Sequence, residues 1–408
     1  LKKKPWVAAE NGPVTFYETG KSSNVSVNVD GQTDKGYFKF GYTRNDQTGV
    51  LPNSQLSKDF LNLGASYKLT DKLTVGSSIN MTNVVAKGRD GTGYNSRNPA
   101  TAFRQWFQTN VDMVELREAY ERTGKNITWN WSDDTGTFPI YADNPYFDRY
   151  ENYQNDERLR YFGNVNLTYQ ATDWLSVTAL ASADTYDEIQ EERRAIGSID
   201  LPASYSRFNR RFSETNFKLI ANFKKDINED IAFNGLLGTN SRLSTNSSIY
   251  AATNNGLTLP NYYALENSAQ GLLAPTEAYS QLKVIGVFGS ASFAYKKMLF
   301  LDFSLRNDTW SSLPEDNNSF FYPAVSAGFS FTDLIGSNDI FTAGKLRVSY
   351  AEIGNGAEPQ QLADVYTNTN PFGSIPKYSI PGRKRNPNLE EERTNDMELG
   401  LEVSFLDG

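Results

Sequence analysis

Residues 61–81 read LNLGASYKLTDKLTVGSSINM, and this stretch decides the fold. Apolar side chains occupy every second position from residue 61 to residue 69, and again from residue 73 to residue 81. Such alternation is the period of a β-strand that has one apolar and one polar face. The two runs are separated by Thr70-Asp71-Lys72, so the stretch predicts an antiparallel hairpin with a tight turn.

The same unit recurs from one end of the chain to the other. Further alternating runs lie near residues 24–29, 37–42, 165–181, 217–237, 285–305, 325–350 and 397–405. We count about 14 strands, and they run nearer to ten residues than to the five or six that are common in soluble sheets. Strands of about ten residues with one polar side are long enough to cross a bilayer.

Connection lengths alternate between short and long. Short turns near residues 71, 172, 228, 296 and 338 separate long links at 82–160, 186–214, 243–282, 308–320 and 352–394. A soluble sandwich has no reason to sort its connections in this way. An up-and-down barrel in an outer membrane does, because its periplasmic turns are short and its extracellular loops are long.

These patterns predict an all-β fold, an antiparallel up-and-down transmembrane β-barrel, with residues 1–408 forming part of a single outer-membrane barrel domain. The alternative is a soluble all-β protein with a few large insertions. The chain starts at Leu1 and stops as a turn begins, so we expect the missing strands elsewhere in a longer protein. The side chains expected to face lipid are Leu63, Tyr67, Val75, Leu167, Val177, Leu219, Leu301 and Leu346.

Composition excludes several classes of protein. The 408 residues include no His and no Cys, so imidazole and thiolate chemistry, and disulfides, are absent from them. The formal net charge of −8 argues against general nucleic-acid binding. Enzyme chemistry would depend on carboxylates such as Glu188, Glu191 and Glu192, for which solvated charge is the favoured interpretation. We therefore predict no enzyme, no cofactor and no metal site.

Several short motifs add a family resemblance. In order and spacing they resemble the barrel of SusC/RagA-type TonB-dependent outer-membrane transporters. They are Asn144-Pro145-Tyr146, residues 160–165 with Asp173-Trp174-Leu175, Arg306-Asn307-Asp308 with residues 320–328, residues 344–350 with Ile353-Gly354-Asn355, and residues 386–390 with 398–401. Residues 16–20 and 41–49 fit an early strand pair of the same barrel.

The resemblance implies a barrel of about 22 strands around a plug. It also implies active import of a glycan or peptide nutrient, a SusD-like surface lipoprotein as a lid, and TonB acting through an N-terminal region. The family's plug, its TonB box and its final strands are not in these 408 residues. The alternative function is a SusC-like barrel that serves as a structural or assembly scaffold in a larger outer-membrane complex.

The longest link, 82–160, is the predicted ligand- or lid-binding region. Aromatic rings can stack on sugar faces while neighbouring carboxylates accept hydrogen bonds from hydroxyl groups. The alternative is that the rings pack the loop against its neighbours or dock the lid. The candidate residues are Trp106, Trp129, Trp131, Tyr146, Tyr150 and Tyr153. Residues 112–122 have apolar side chains near helical spacing, which predicts a short helix in this loop.

One basic run is a candidate membrane contact. Arg383-Lys384-Arg385 suits the phosphates of lipopolysaccharide or an acidic partner, but a solvated loop is the favoured interpretation. Outer-membrane lipid is the expected partner of the apolar strand faces.

Overall fold

Thirteen strands form one antiparallel sheet in the computed structural model of the chain. The structure describes residues 6–89, 91–94, 97–105, 107–133, 138–199, 202–336 and 340–406. The strands within these residues are β1 Lys21–Thr33, β2 Gly36–Thr48, β3 Gln55–Lys68, β4 Leu73–Arg89, β5 Gln154–Thr172, β6 Leu175–Arg194, β7 Ser204–Asp226, β8 Ile231–Ala252, β9 Asn254–Leu257, β10 Ser268–Gln270, β11 Thr276–Tyr295, β12 Leu299–Trp310, β13 Ser319–Ser330, β14 Phe341–Asn355, β15 Thr367–Phe372, β16 Ile375–Ser379 and β17 Glu392–Phe405.

Short helices occupy only the connections between strands. The α-helices of the described residues are α1 Pro99–Gln105, α2 Met113–Thr123, α3 Pro145–Glu151 and α4 Thr332–Ile335, and the 3-10 turns are Pro13–Phe16 and Leu265–Asn267. The predicted loop helix at 112–122 is confirmed as α2, which Asp112 caps by accepting hydrogen bonds from the backbone N–H groups of Val114 and Glu115. Among the described helices, none is long and apolar enough to cross a membrane.

Strand order in the sheet follows the order of the chain. The sheet runs from β1 to β8, continues through β11 to β14, and ends at β17, while β9–β10 and β15–β16 form two separate hairpins. Within the described residues no pairing joins β1 to β17, so the sheet is open. Consecutive antiparallel pairing is the topology of an up-and-down barrel, and the predicted all-β barrel fold is confirmed as part of such a wall.

Cross-strand register places most large apolar side chains of the sheet on one face. Leu63 pairs with Phe40 and Ile79, and Val75 pairs with Tyr67 and Leu167. We call this the apolar face, and the opposite side, which is rich in Asn, Ser, Thr and charged residues, the polar face. Of the residues predicted to face lipid, Leu63, Tyr67, Leu167, Leu219 and Leu346 are exposed on the apolar face, and Val75, Val177 and Leu301 lie half-buried on it.

The two ends of the sheet differ in the length of their connections. At one end, the short-turn end, the strands are joined by residues 34–35, 69–72, 173–174, 227–230, 296–298 and 331–340. At the other end, the long-loop end, the connections are residues 49–54, 90–153, 195–203, 253–275, 311–318 and 356–391. The predicted alternation is found for most connections, but 331–340 at the short-turn end is longer than 49–54, 195–203 and 311–318 at the long-loop end.

Strands β5 to β8 are longer than the sequence pattern indicated. They contain 19, 20, 23 and 22 residues, and they fill most of the segment 186–214 and the first part of 243–282, both of which we expected to be loops. On the apolar face of β7 the side chains become polar towards the long-loop end, at Arg211, Ser213 and Thr215. We call the extension of these strands beyond the apolar region the collar; it comprises residues 154–162, 184–194, 204–214 and 244–252.

A bulge near the end of β4 changes the face on which one side chain lies. The register with β5 shifts between Lys87 and Arg89, and Gly88 has a φ of 69°. A Cβ atom at Gly88 would lie 1.8 Å from the backbone oxygen of Asn53, so no other residue fits there without movement. The bulge turns Arg89 onto the polar face, where it forms an ion pair with Asp156.

Candidate ligand-binding surface at the long-loop end

The connection 90–153 folds into a packed unit at the long-loop end. Its core contains Phe16 from the N-terminal 3-10 turn together with Val111, Met113, Leu116 and Tyr146. Side chains packed around this core are Leu51, Phe103, Phe107, Tyr120 and Trp129. We call residues 90–153 the cap loop. Its rings pack mainly edge to face, as in Phe16 with Tyr146 at 5.2 Å between centroids.

A fully buried arginine joins the cap loop to the strand ends. The Arg149 side chain donates from Nε to the carbonyl of Pro52 at 3.0 Å and from Nη2 to the carbonyl of Gly88 at 2.6 Å. Asn53 donates from Nδ2 to the backbone carbonyl of Arg149 at 2.9 Å. These bonds connect α3 to the β2–β3 connection and to the bulge in β4, so the cap loop is held by polar contacts as well as by apolar packing.

Buried asparagines organise the interior of the cap loop. Asn144 donates from Nδ2 to the carbonyls of Leu116 and Ile127, at 2.8 and 2.7 Å, and it accepts a hydrogen bond from the backbone N–H of Tyr146 at the start of α3. Asn126 donates to the carbonyl of Gly197 at 2.9 Å, which ties the cap loop to the β6–β7 connection. The motif Asn144-Pro145-Tyr146 is therefore an architectural element of this loop.

Two of the six predicted aromatic residues lie in the interior of the cap loop. Tyr146 is 4% exposed and belongs to the core, and burial raises its pKa. Tyr153 is 8% exposed and lies under the Arg193 guanidinium, with 3.8 Å from Cζ to the ring centroid. Arg193 also contacts the Tyr263 ring at 4.6 Å, so this cation–π stack joins the cap loop to the β8–β11 connection.

The other predicted residues lie nearer the surface. Trp129 is half-buried against Phe107, at 5.1 Å between ring centroids, and Trp131 is half-buried next to Pro139. Tyr150 is 38% exposed and stacks on Tyr120 at 5.7 Å. Trp106 lies outside the described residues. The structure brings five of the six residues into one loop, and of these five Tyr150 is the most exposed.

A polar cleft opens beside the cap loop, on the polar face of the collar. It has a volume of about 440 Å³. Glu188 on its wall is only 4% exposed and accepts hydrogen bonds from Arg158 Nη2 at 3.0 Å and Gln190 Nε2 at 2.8 Å. Other lining residues are Arg89, Gln154, Asp156, Glu192, Ser206, Phe208 and Tyr250. The cleft therefore offers both signs of charge beside aromatic rings.

Sequence reasoning found only one side of this cleft. Glu188 and Glu192 were recognised as a charged strand end, whereas Arg158, Phe208 and Tyr250 were placed in or near loops. A signal was available in the sequence. If the strand alternation of the apolar region is continued into these segments, the even-numbered positions Arg158, Phe208 and Tyr250 fall on the polar face. Within the described residues, no group of three or more acidic side chains is arranged to hold a metal ion.

The open wall of paired strands, its apolar face and its sorted connections define a transmembrane β-barrel protein of the outer membrane. Residues 105–408 match the family described as TonB dependent receptor-like, beta-barrel, and the chain belongs to this family. This membership places it in the bacterial outer membrane.

Comparison with individual proteins gives the same assignment. The chain is 24% identical to TonB-dependent receptor P26 and 22% identical to TonB-dependent receptor P3, both of Formosa agariphila, over 99% and 96% of its length. It spans 39% of each of these relatives.

Solved structures of other proteins are similar to this chain in fold. The RagAB peptide transporter matches 97% of this chain with a TM-score of 0.81 and 16% identity, and 44% of that chain is covered. The ferripyoverdine receptor of Pseudomonas aeruginosa matches 96% of this chain and 46% of its own, with a TM-score of 0.55 and 12% identity. The predicted SusC/RagA-type barrel is thereby confirmed.

Proposed function

We propose that this chain is part of the barrel wall of a TonB-dependent importer that takes up a glycan or peptide nutrient. The observation that carries the proposal is the two-sided wall, in which a continuous apolar face lies behind a polar face that continues upward as the collar. The family match over residues 105–408 supports it, and so does the fold shared with the RagAB peptide transporter. A polar inner surface is what a water-soluble cargo requires on its way through a barrel.

The proposed partners follow from the same assignment. A SusD-like surface lipoprotein covers the long-loop end, and TonB acts through a segment outside these 408 residues, which also supplies the plug. The isolated hairpin β15–β16 supports a partner at this end, because Phe372 and Tyr378 are 75% and 67% exposed on it. Outer-membrane lipid contacts the apolar face, and residues 383–385 contact lipopolysaccharide.

The proposed contacts to nutrient or lid are the aromatic residues of the cap loop. Tyr150 has the most exposed side chain, the half-buried Trp129 and Trp131 lie nearer the surface than the others, and Tyr146 and Tyr153 act by holding the loop in place. Trp106 belongs to the same proposal. A cap loop that is firmly anchored at Arg149 and Asn144 presents these rings without a large entropy cost on binding.

Uptake by the full-length protein in its host tests the proposal. A strain that lacks the gene is complemented with wild-type protein, with a form lacking residues 125–140, or with Tyr67→Ala as a control on the apolar face at the short-turn end. We expect the loop deletion to lower uptake of a labelled nutrient mixture of oligosaccharides and peptides while the barrel still assembles, because the deleted residues include no strand of the sheet.

The control variant is expected to import at the wild-type rate. Unchanged uptake in the strain that lacks the gene would show that the protein imports none of the offered nutrients. Normal uptake and normal lid retention by the loop-deleted form would instead limit the cap loop to packing and leave import in place.

A further inference from the structure

An arginine on the polar face of the collar has no carboxylate within ion-pair distance among the described residues. Nearby, Arg89 pairs with Asp156, Arg158 with Glu188, and Arg160 with Asp184. Arg210 on β7 makes a single hydrogen bond, from Nε to Oδ1 of Asn246 at 3.3 Å. Its cross-strand neighbour Glu188 interacts with it electrostatically but accepts its hydrogen bonds from Arg158 and Gln190. Arg210 is thus a half-buried cation without an ion pair in a region where the other named cations are neutralised.

An aromatic ring contacts this cation, and a second ring stacks on the first. The Tyr186 ring lies between two guanidinium groups, with its centroid 5.3 Å from Cζ of Arg158 and 5.6 Å from Cζ of Arg210. Phe212 stacks on Tyr186 at 5.4 Å. Two residues before Arg210 in β7, Phe208 lines the polar cleft of about 440 Å³. A cation backed by aromatic rings next to an open cleft is a binding arrangement for an anionic group that has apolar surface attached.

The height of Arg210 places it outside the lipid region. It lies about sixteen residues from the end of β7 at Asp226, which at about 3.3 Å per residue and a tilt of about 40° is roughly 40 Å above the short-turn end. The apolar band of such barrels is only about 25 Å tall. Arg211, Ser213 and Thr215 on the other face agree with this, since none suits contact with lipid tails. Arg210 therefore lines the outer vestibule, where an incoming solute arrives first.

We propose that Arg210 binds a carboxylate group of the imported nutrient, with Tyr186, on which Phe212 stacks, holding its guanidinium in position. This inference rests on the proposed import function and names the chemical class of its cargo. The planar guanidinium presents two parallel N–H groups that match a carboxylate, and Arg89 and Arg160 use this pairing within the wall itself. The carboxylate comes either from a peptide, at its C-terminus or an acidic side chain, or from a uronic acid of a glycan.

Binding to the purified full-length protein tests the inference. Four probes are titrated by calorimetry: an alanine-rich pentapeptide with a free C-terminal carboxylate, the same peptide amidated, trigalacturonate, and a neutral trigalactoside. Arg210→Gln is compared with Arg211→Gln, which removes the same charge from the adjacent, 68% exposed side chain on the opposite face. Arg210→Lys keeps the charge but loses the planar fork.

We expect Arg210→Gln to weaken the binding of a carboxylate probe about 10- to 100-fold, because a hydrogen-bonded charge contact is lost. Arg211→Gln should bind as the wild type does, and Arg210→Lys should lie between the two. Preference for the free peptide over its amide assigns the cargo to peptides, and preference for trigalacturonate over the neutral sugar assigns it to acidic glycans.

Equal affinity of wild-type protein for charged and neutral probes, or an absence of binding to both carboxylate probes, overturns the inference. So does unchanged affinity in Arg210→Gln. A lower melting temperature of that variant with unchanged affinity would show that Arg210 pairs with another segment of the full-length protein. None of these results touches the import proposal, which is decided separately by uptake in cells.

Discussion

Buried polar side chains stabilise the cap loop through hydrogen bonds to backbone carbonyl groups. Arg149 is completely buried and satisfies carbonyl groups of two other segments, and Asn144 does the same within the loop. A connection of this length has little regular backbone pairing of its own, so side-chain donors must satisfy its carbonyl groups. The cap loop is therefore stabilised by a few specific residues, and single substitutions there should have large local effects.

Replacing Arg149 by Met should open the cap loop. The substitution keeps apolar bulk but leaves the carbonyls of Pro52 and Gly88 without their donor, which costs roughly 2–5 kcal/mol of local stability. Hydrogen exchange of the full-length protein should show lower protection of the amides of α2 and α3. Arg122→Met, at an exposed position of α2, is the matched control. Equal protection in both variants would contradict the anchoring role of Arg149.

The cap loop should also loosen at strongly alkaline pH. Burial and a hydrogen bond of 2.8 Å to Glu151 raise the pKa of Tyr120 above its ordinary value of 10. A raised folded-state pKa means that the stabilisation is complete below about pH 10 and is lost as the pH rises through the folded value. Tyrosinate absorbance should show a late step that Tyr120→Phe lacks. Identical titration curves above about pH 11 would exclude this behaviour.

At the scale of elements, alternation of apolar and polar residues predicts a strand only where one face of the strand meets lipid and the other meets water. In residues 61–81 one face meets lipid and the pattern is clear. In the collar both faces meet water, so Arg210 and Arg211 are equally polar although they lie on opposite faces. Backbone pairing continues through the collar although its two faces do not differ in polarity. The sequence pattern of these strand ends is consequently that of a loop. The buried role of Arg149 had no periodic signal either, because it depends on carbonyl groups distant in sequence.

The assignment of faces makes a prediction for β7. Leu219 is exposed on the apolar face at mid-strand, and Leu219→Arg should cost about 2–4 kcal/mol of folding free energy in lipid. Asn222→Arg, three residues away on the polar face, is the control and should cost far less. Folding of the full-length protein into lipid vesicles, measured by denaturant titration, compares the two. A larger loss for Asn222→Arg would reverse the assignment of the faces.

At the scale of the whole molecule, the sorting of connections fixes the orientation of the wall. The short turns, such as 227–230, lie at one end, and the cap loop, the β15–β16 hairpin and the collar lie at the other. In outer-membrane barrels the long loops are extracellular. The cleft beside the cap loop consequently faces the outside of the cell.

Epitope tags should report this orientation in intact cells. A tag inserted at Asn228 should be hidden from antibody, whereas a tag at Asn254 should be labelled, because the two sites lie at opposite ends of β8. Permeabilised cells serve as the control and should expose both tags. Labelling of the Asn228 tag in intact cells would place the short turns outside and invert the wall.

The bulge at Gly88 also bears on how such a wall can change length during evolution. Side chains alternate between the two faces, so the loss or gain of one codon within a strand exchanges lipid-facing and water-facing residues along the rest of that strand. Changes of two codons preserve the faces. A single codon is tolerated where a bulge absorbs it, as between Lys87 and Arg89. Strand lengths among homologous barrels should therefore differ by even numbers of residues, and differences of one residue should be confined to bulged positions.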